Sequence, residues 1–236
     1  MSFLNGDKPE SVNMQFDQFA DQYEQVLDRT VALSGEESAY FAAYKARYLR
    51  RVLSTSFSGR ALDFGCGVGL LSRFLKAYFP AVQLDGFDVS PDSIGKMDDG
   101  LKSQGHFTSS TADLAHDYGL IVVANVMHHI VPREREPWIQ DLAGRLAPRG
   151  ILAIFEHNPA NPITRAVVER CPFDADAILL SPAETTGYLG RAKLRLMRRD
   201  YIVFMPRFLA FLRPLEPWLT WLPMGAQYVV LAEKHA

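Results

Sequence analysis

Three glycines, Gly65, Gly67 and Gly69, alternate directly after a short apolar segment that contains Asp63. Glycine has no Cβ, so such a turn can adopt positive φ and bring backbone N–H groups close to a ligand at the start of a helix. We therefore predict that this loop binds an adenosine-containing ligand.

A second acid, Asp88, ends the next apolar segment, nineteen residues after Gly69. A carboxylate at about this distance can accept hydrogen bonds from both ribose hydroxyls. A nicotinamide-type fingerprint has the spacing G-x-G-x-x-G, whereas these glycines alternate strictly. The spacing thus favours a different adenosine cofactor, and the alternative is that Asp88 only caps a helix that begins at Pro91.

Three histidines follow two later apolar segments: His128 and His129 come after residues 120–124, and His157 comes after residues 151–155. Open α/β sheets bind ligands beyond the carboxyl ends of their strands, so these imidazoles are the candidate general bases for a hydroxyl acceptor. The alternative is that one of the His128–His129 pair packs under the cofactor while the other caps a turn. The sequence shows no third ligand at recognisable spacing, so it predicts no metal site. Glu156 precedes His157, and because adjacent strand residues face opposite ways, we do not expect the two to act together.

The elements that must position these residues alternate between short apolar runs and helical stretches, which is typical of a doubly wound α/β sheet. We predict strands at 61–64, 82–87, 107–110, 120–124, 151–155, 194–204 and 227–232. Helices are predicted at 68–79, after Pro91, within 133–147 and from Asn161–Pro162, with a short third crossover.

Residues 1–55 are predicted to form a helical cap region, and residues 56–236 a single core. Ser34 and Glu37 have the spacing of a capping box ahead of an aromatic-rich helix. The aromatic residues of this region either pack on the core or cover a ligand.

The order of these motifs resembles the class I S-adenosylmethionine-dependent methyltransferases, in particular their small-molecule members of types 11 and 12. The resemblance implies a Rossmann-like seven-stranded sheet with helices on both faces and an antiparallel last strand. It implies S-adenosylmethionine as cofactor, with S-adenosylhomocysteine as product. The donor site that it implies comprises Tyr23, Asp63, Gly65, Cys66, Gly67, Gly69, Asp88, Val89, Ala112, Asp113, Leu114 and Asn125. One departure is Gly119, which stands where an acid usually precedes the fourth strand.

Within that resemblance, Asp63 is expected near the methionine amino group of the donor. The backbone of Gly65, Cys66 and Gly67 is expected along the methionine and ribose, and Asp113 near the adenine amino group.

The composition is that of an ordinary globular protein, with 48% hydrophobic residues, 22% charged residues and a net charge of -2. This net charge gives no positive potential that would attract phosphates, so we predict no nucleic-acid binding. Cys66 and Cys171 form no paired thiol motif, and the amino terminus has no signal-peptide pattern, so we expect a cytoplasmic protein. Prolines and arginines interrupt the apolar stretch 201–225, which argues against a transmembrane span.

The segment 204–225 contains Phe208, Phe211, Trp218 and Trp221, more aromatic residues than a solvated loop needs. We expect it to form a lid, a homodimer contact or a surface that meets lipid or a lipid-linked substrate. A basic cluster precedes it, at Arg191, Lys193, Arg195, Arg198 and Arg199. The cluster either binds a phosphate or lies on the solvent side of a strand whose Leu194 and Leu196 face the core.

Together these patterns predict methyl transfer to a small, partly apolar metabolite, most readily at oxygen. Two alternatives remain open at this point: an NAD(P)-dependent oxidoreductase, and a non-catalytic S-adenosylmethionine-binding partner subunit.

Overall fold

The computed structural model describes residues 28, 31–53 and 57–236, which form one seven-stranded sheet with helices on both faces. The predicted cofactor contact of Tyr23 lies outside these residues. The strands are β1 (Gly59–Phe64), β2 (Val82–Phe87), β3 (Gly105–Thr108), β4 (Tyr118–Ala124), β5 (Leu146–His157), β6 (Leu194–Ile202) and β7 (Gln227–Lys234). Their order is β3-β2-β1-β4-β5-β7-β6, and β7 runs antiparallel to both β5 and β6. The predicted Rossmann-like fold with its antiparallel last strand is confirmed.

The helices are α1 (Ser38–Val52), α2 (Leu70–Tyr78), α3 (Pro91–Gly95), α4 (Asp99–Lys102), α5 (Pro132–Arg145), α6 (Pro162–Val168) and α7 (Pro182–Arg191). One core cluster contains residues of α1 and α2, and the other contains residues of α5 and α7. The third crossover is a single short turn of 3₁₀ helix, Thr111–Asp113, in agreement with the sequence. The sequence analysis missed α7, although Ser181 and Glu184 form a capping box at its start.

The predicted capping box at Ser34 and Glu37 is wrong. Helix α1 begins at Ser38, and Glu37 makes no side-chain cap. Instead, the carboxylate of Asp28 accepts a hydrogen bond from the Ser38 N–H at 2.7 Å. An acid ten residues upstream therefore satisfies this free N–H group, which a local pattern cannot reveal.

The prediction that Leu194 and Leu196 of the edge strand β6 both face the core holds only in part. Leu194 is buried, but the side chain of Leu196 is 45% exposed, and just after it the pairing with β7 shifts between Leu196 and Arg198. Such a shift changes which side chains face the core beyond it. The alternation predicted for this strand therefore holds only at its start, and the strand ends at Ile202 rather than at residue 204.

The segment after β6 contains a 3₁₀ helix, Arg207–Trp218, which is kinked at Leu209 and contacts the chain just before α1. Arg213 Nη2 lies 2.6 Å from Glu36 Oε1, and the buried Glu216 carboxylate accepts the Phe204 and Met205 N–H groups. None of the helices in the described part of the chain has the length and apolar character needed to cross a bilayer.

Candidate active site

A cavity of about 510 Å³ lies where the carboxyl ends of the central strands meet the first and last segments of the described chain. The loops after β1, β2 and β4 supply Gly65, Gly67, Asp88 and Asn125 to its wall. Cys66 and Val89 line it as well, as the sequence predicted. The cavity also reaches the three histidines, so the predicted donor and acceptor groups share one space.

The glycine loop has the backbone that the sequence predicted, with φ of 79° at Gly65, 52° at Gly67 and 84° at Gly69. A Cβ at Gly65 would lie 2.3 Å from Val126 Cγ2, so only glycine fits this turn. Gly69 is not among the residues that line the cavity, and a Cβ there would meet Leu101 and Met97. Gly69 therefore serves the start of α2 and its packing.

Asp88 joins the ends of β1 and β2. Its Oδ2 accepts a hydrogen bond from the Gly67 N–H at 2.8 Å, and its Oδ1 accepts one from the Ser90 N–H at 2.9 Å. The cap of α3 is Ser90, whose Oγ accepts from the Ser93 N–H. The alternative that Asp88 is only a helix cap is therefore wrong, and its carboxylate borders the cavity.

A buried acid and a buried lysine lie against the donor end of the cavity. Ser72 Oγ donates to Asp63 Oδ2 at 2.6 Å, and burial raises the pKa of Asp63 to about 7. Lys45 extends from α1, and its burial lowers its pKa to about 8 although Glu156 and Asp63 oppose that change. It is the only lysine or arginine among the described residues that line the cavity.

We expect Asp63→Asn to stabilise the ligand-free protein more strongly at pH 8 than at pH 5. Folding raises the pKa of Asp63, so its ionisation removes stability as the pH rises from about 4 in the unfolded chain to about 7 in the folded one. A shift of this size corresponds to at most about 4 kcal/mol, and the loss of a charge near Lys45 reduces that gain. Thermal unfolding at both pH values measures the effect, and a variant no more stable than the wild type at pH 8 would contradict it.

Asn125 has a positive φ of 58°, and its backbone N–H donates to the Phe155 carbonyl at 2.9 Å. Its side-chain Oδ1 is buried and meets no hydrogen-bond donor within the described ranges. A buried acceptor without a donor is unfavourable unless a ligand supplies one. With the glycine cradle and Asp88, this acceptor fits an adenosine-containing ligand that carries hydroxyl and ammonium donors.

The three predicted histidines form one cluster. His128 Nδ1 lies 2.5 Å from Glu156 Oε2, and the His128 ring centroid lies 4.1 Å from that of His129 and 5.1 Å from that of His157. Glu156 is fully buried and also accepts the Val126 and Met127 N–H groups. Glu156 thus pairs with His128 and not with its neighbour His157.

The cluster carries one proton near neutral pH. Burial lowers the pKa of His128, but the carboxylates of Glu156 and Asp174 outweigh it and raise the pKa to about 9. Burial and the charge of His128 lower the pKa of His129 to about 3 and that of His157 to about 4. Two neutral imidazoles therefore border the cavity beside a protonated one.

The sequence analysis missed Asp174, whose Oδ1 lies 3.3 Å from His128 Nε2 and 3.5 Å from His129 Nε2. It belongs to a short turn, Pro172–Asp174, and no motif spacing indicates its position. The predicted residues Ala112, Asp113 and Leu114 are not among the residues that line the cavity. Asp113 Oδ2 instead accepts a hydrogen bond from Thr108 Oγ1 at 3.0 Å.

Apolar side chains also line the cavity. They are Phe41, Ile130, Ile163, Val167, Val203, Phe204, Met205, Pro206 and Phe208. The cavity therefore offers apolar surface to a ligand as well as polar groups.

Comparison with known proteins agrees with the motifs and the sheet order. Residues 62–152 match a family model described as a methyltransferase domain. Trans-aconitate 2-methyltransferase of Mycobacterium tuberculosis (strain H37Ra) is 28% identical over 142 residues, which is 52% of this chain and 52% of that protein. The resemblance to the class I S-adenosylmethionine-dependent methyltransferases that the sequence indicates is confirmed.

Solved structures show the same fold. Magnesium protoporphyrin IX methyltransferase from Synechocystis, solved with bound S-adenosylhomocysteine, has a TM-score of 0.68 at 17% identity and covers 96% of this chain and 100% of its own. Mitomycin 7-O-methyltransferase has a TM-score of 0.62 at 13% identity, covering 82% and 54% respectively. The matched curated relatives align with this chain over only 21% to 52% of their own length.

Proposed function

We propose that this chain transfers the methyl group of S-adenosylmethionine to an oxygen of a small, partly apolar metabolite. The observation that carries the proposal is the single cavity in which the glycine loop and Asp88 lie at one part of the wall and the histidine cluster at another. The methyltransferase family model and the O-methyltransferase among the solved structures of the same fold support it.

The donor end is built to recognise a cationic nucleoside. Asp88 presents a carboxylate beside the Gly67 amide, and Asn125 presents its unpaired Oδ1. Asp63 lies at the end of β1, where a carboxylate can meet an ammonium group. When bound, S-adenosylmethionine supplies an electrophilic methyl group on its sulfonium sulfur.

The acceptor end positions a hydroxyl group. In the transfer an oxygen–methyl bond forms as the methyl–sulfur bond breaks, S-adenosylhomocysteine leaves, and the hydroxyl proton passes to solvent, directly or through a neutral imidazole. His129 and His157 are neutral near pH 7, so each offers a lone pair to that hydroxyl. Their low pKa values suit orienting the hydroxyl better than holding its proton. We therefore expect most of the rate acceleration to come from positioning of the hydroxyl by the imidazoles and from exclusion of water.

Titration calorimetry of the purified protein with S-adenosylmethionine, S-adenosylhomocysteine and NAD⁺ tests the donor half of this proposal. We expect binding of both methionine-derived nucleosides and none of NAD⁺. Binding of NAD⁺ alone would select the oxidoreductase. Donor binding without methylation of any hydroxylated apolar acceptor in a broad panel would select the non-catalytic partner subunit.

We also propose that the aromatic segment 204–225 meets a lipid surface from which an apolar acceptor enters. Phe208 is 76% exposed yet lines the cavity, while Trp218 and Trp221 are 71% and 74% exposed. Phe208 thus links the cavity to the exposed surface, and its neighbour in the chain, Arg207, is exposed as well. Aromatic side chains with nearby cations are typical of surfaces that bind at a membrane interface.

The double variant Trp218→Ser with Trp221→Ser is expected to lower partition onto vesicles of phosphatidylcholine and phosphatidylglycerol by about tenfold or more, since each ring buries apolar area in the interface. Co-sedimentation measures this partition. Met197→Ser, at a half-exposed residue of β6 outside the cavity, is the matched control. Wild-type protein that stays in solution, or a variant that loses only self-association by light scattering, would refute the lipid surface.

A further inference from the structure

His128 is held in one orientation by the protein around it. Its Nδ1 meets Glu156 Oε2 at 2.5 Å, and the Glu156 carboxylate is itself fixed by the Val126 and Met127 N–H groups, at 3.1 and 2.7 Å. Metal-binding histidines are commonly oriented in this way, with one ring nitrogen on a carboxylate and the other directed at the ion.

The second ring nitrogen of His128, Nε2, has no hydrogen bond among the described residues as good as that of Nδ1 with Glu156. Nε2 is buried and makes no acceptable hydrogen bond within the described residues, although Asp174 Oδ1 lies 3.3 Å away. A buried ring nitrogen left in this state is costly unless something else binds it. Its position beside Asp174 indicates what that partner can be.

Ligand atoms of His128, His157 and Asp174 all lie within 4.8 Å of one another. Asp174 adds a carboxylate beside the one that Glu156 already contributes. Lys45 is the only lysine or arginine that lines the cavity in the described part of the chain. The cluster therefore combines two imidazoles, a carboxylate ligand and a second carboxylate behind one imidazole. This donor set attracts a cation.

We propose that His128 Nε2, His157 and Asp174 bind one divalent transition-metal ion of the zinc type. Two nitrogen ligands and one oxygen ligand suit such ions better than they suit magnesium or calcium, which prefer oxygen alone. Asp174 supplies the third ligand that the sequence spacing does not show. The proposal does not depend on methyl transfer.

Binding releases the proton that His128 carries near neutral pH, because a coordinating imidazole nitrogen cannot hold a proton. Ligand atoms about 2.0–2.1 Å from a tetrahedral ion lie about 3.3 Å apart, and 3.3 Å is the distance that already separates His128 Nε2 from Asp174 Oδ1. Asp174 belongs to a short turn, and its carboxylate faces His128 and His129, so a small shift of this side chain keeps it within reach of the ion.

Three protein ligands leave a coordination position open, as in catalytic metal sites. That position would face the cavity that His157 and Asp174 line. An ion there would bind a hydroxyl oxygen and lower its pKa. Under the proposed function, the ion would activate acceptors that two weakly basic imidazoles can only orient.

Tag-free protein, freed of metal with a chelator and then titrated with Co²⁺ and Zn²⁺, tests the site. We expect one ion per chain, a visible Co²⁺ absorption band and its displacement by Zn²⁺. His157→Ala and Asp174→Asn should each weaken binding by about 10- to 100-fold or more. His106→Ala, which removes an exposed histidine of β3, should bind as the wild type does.

Binding of S-adenosylhomocysteine and the circular dichroism spectrum of each variant, measured in parallel, show whether it is folded. Asp174→Asn preserves the size of a side chain near the surface, so it remains informative if His157→Ala does not fold. The proposal is overturned if the wild type binds neither ion, or if folded His157→Ala and Asp174→Asn bind as tightly as the wild type. Neither result would bear on donor binding.

Discussion

Glu156→Ala is expected to lower the free energy of unfolding by about 3–5 kcal/mol, because it removes one partner of a buried ion pair. Glu156 is fully buried, pairs with the protonated His128 and accepts the N–H groups of Val126 and Met127. The substitution therefore leaves a buried cation and two buried donors unsatisfied. Urea denaturation followed by circular dichroism at pH 7 measures the loss.

The matched control is Glu156→Gln, which keeps one oxygen acceptor of the same size for the two N–H groups. This variant should lose roughly half as much free energy of unfolding as Glu156→Ala, or less, since only the charge of the pair is lost. If the alanine variant lost under about 1 kcal/mol, the carboxylate would have no important part in holding the β4 and β5 ends together.

Asp88→Ala is expected to weaken S-adenosylhomocysteine binding by about 30- to 100-fold while the protein stays folded. A carboxylate that accepts hydrogen bonds from ribose hydroxyls contributes about 2–3 kcal/mol, and each 1.4 kcal/mol is a factor of about ten. The same substitution removes the acceptor of the Gly67 and Ser90 N–H groups, which loosens the glycine loop. Titration calorimetry measures the affinity directly.

Asp113→Ala separates this effect from a general loss of negative charge. Asp113 follows β3 but is not among the residues that line the cavity, so its replacement should leave the affinity within about twofold of the wild type. Equal affinities for Asp88→Ala and the wild type would reject ribose recognition by Asp88. A large loss with Asp113→Ala would instead restore the adenine contact that the sequence suggested.

The sequence predicts the sheet because the information is local. The apolar run 82–87 coincides with β2, and the alternating glycines indicate a tight turn whose φ angles the structure confirms. Strands β1 and β4 start two residues earlier than the apolar pattern, since Gly59 and Arg60 pair with β2 and Tyr118 pairs with β5 without contributing to an apolar run.

The parts of the site that the sequence did not predict come from residues that lie far from its motifs in the chain. Lys45 enters from α1 and Asp174 from a turn after α6, and neither stands at a spacing that marks a ligand or a catalytic group. The pairing of Glu156 with His128 follows from the packing of the loop after β4 against β5. Only the folded backbone brings these charges together, so no motif could have predicted the cluster.

The ion pair between Arg213 and Glu36 ties two walls of the cavity into one unit. Arg213 also lies over the Tyr40 ring at 4.4 Å from its centroid, and Arg207 Nη1 donates to the Gly35 carbonyl at 3.3 Å. A chimera that takes only residues 204–225 from another methyltransferase would lose these contacts, and the transplanted segment would not be held in place. Under the proposed function, redesign of acceptor preference therefore has to exchange residues 31–45 and 204–225 together, as a pair of co-adapted pieces.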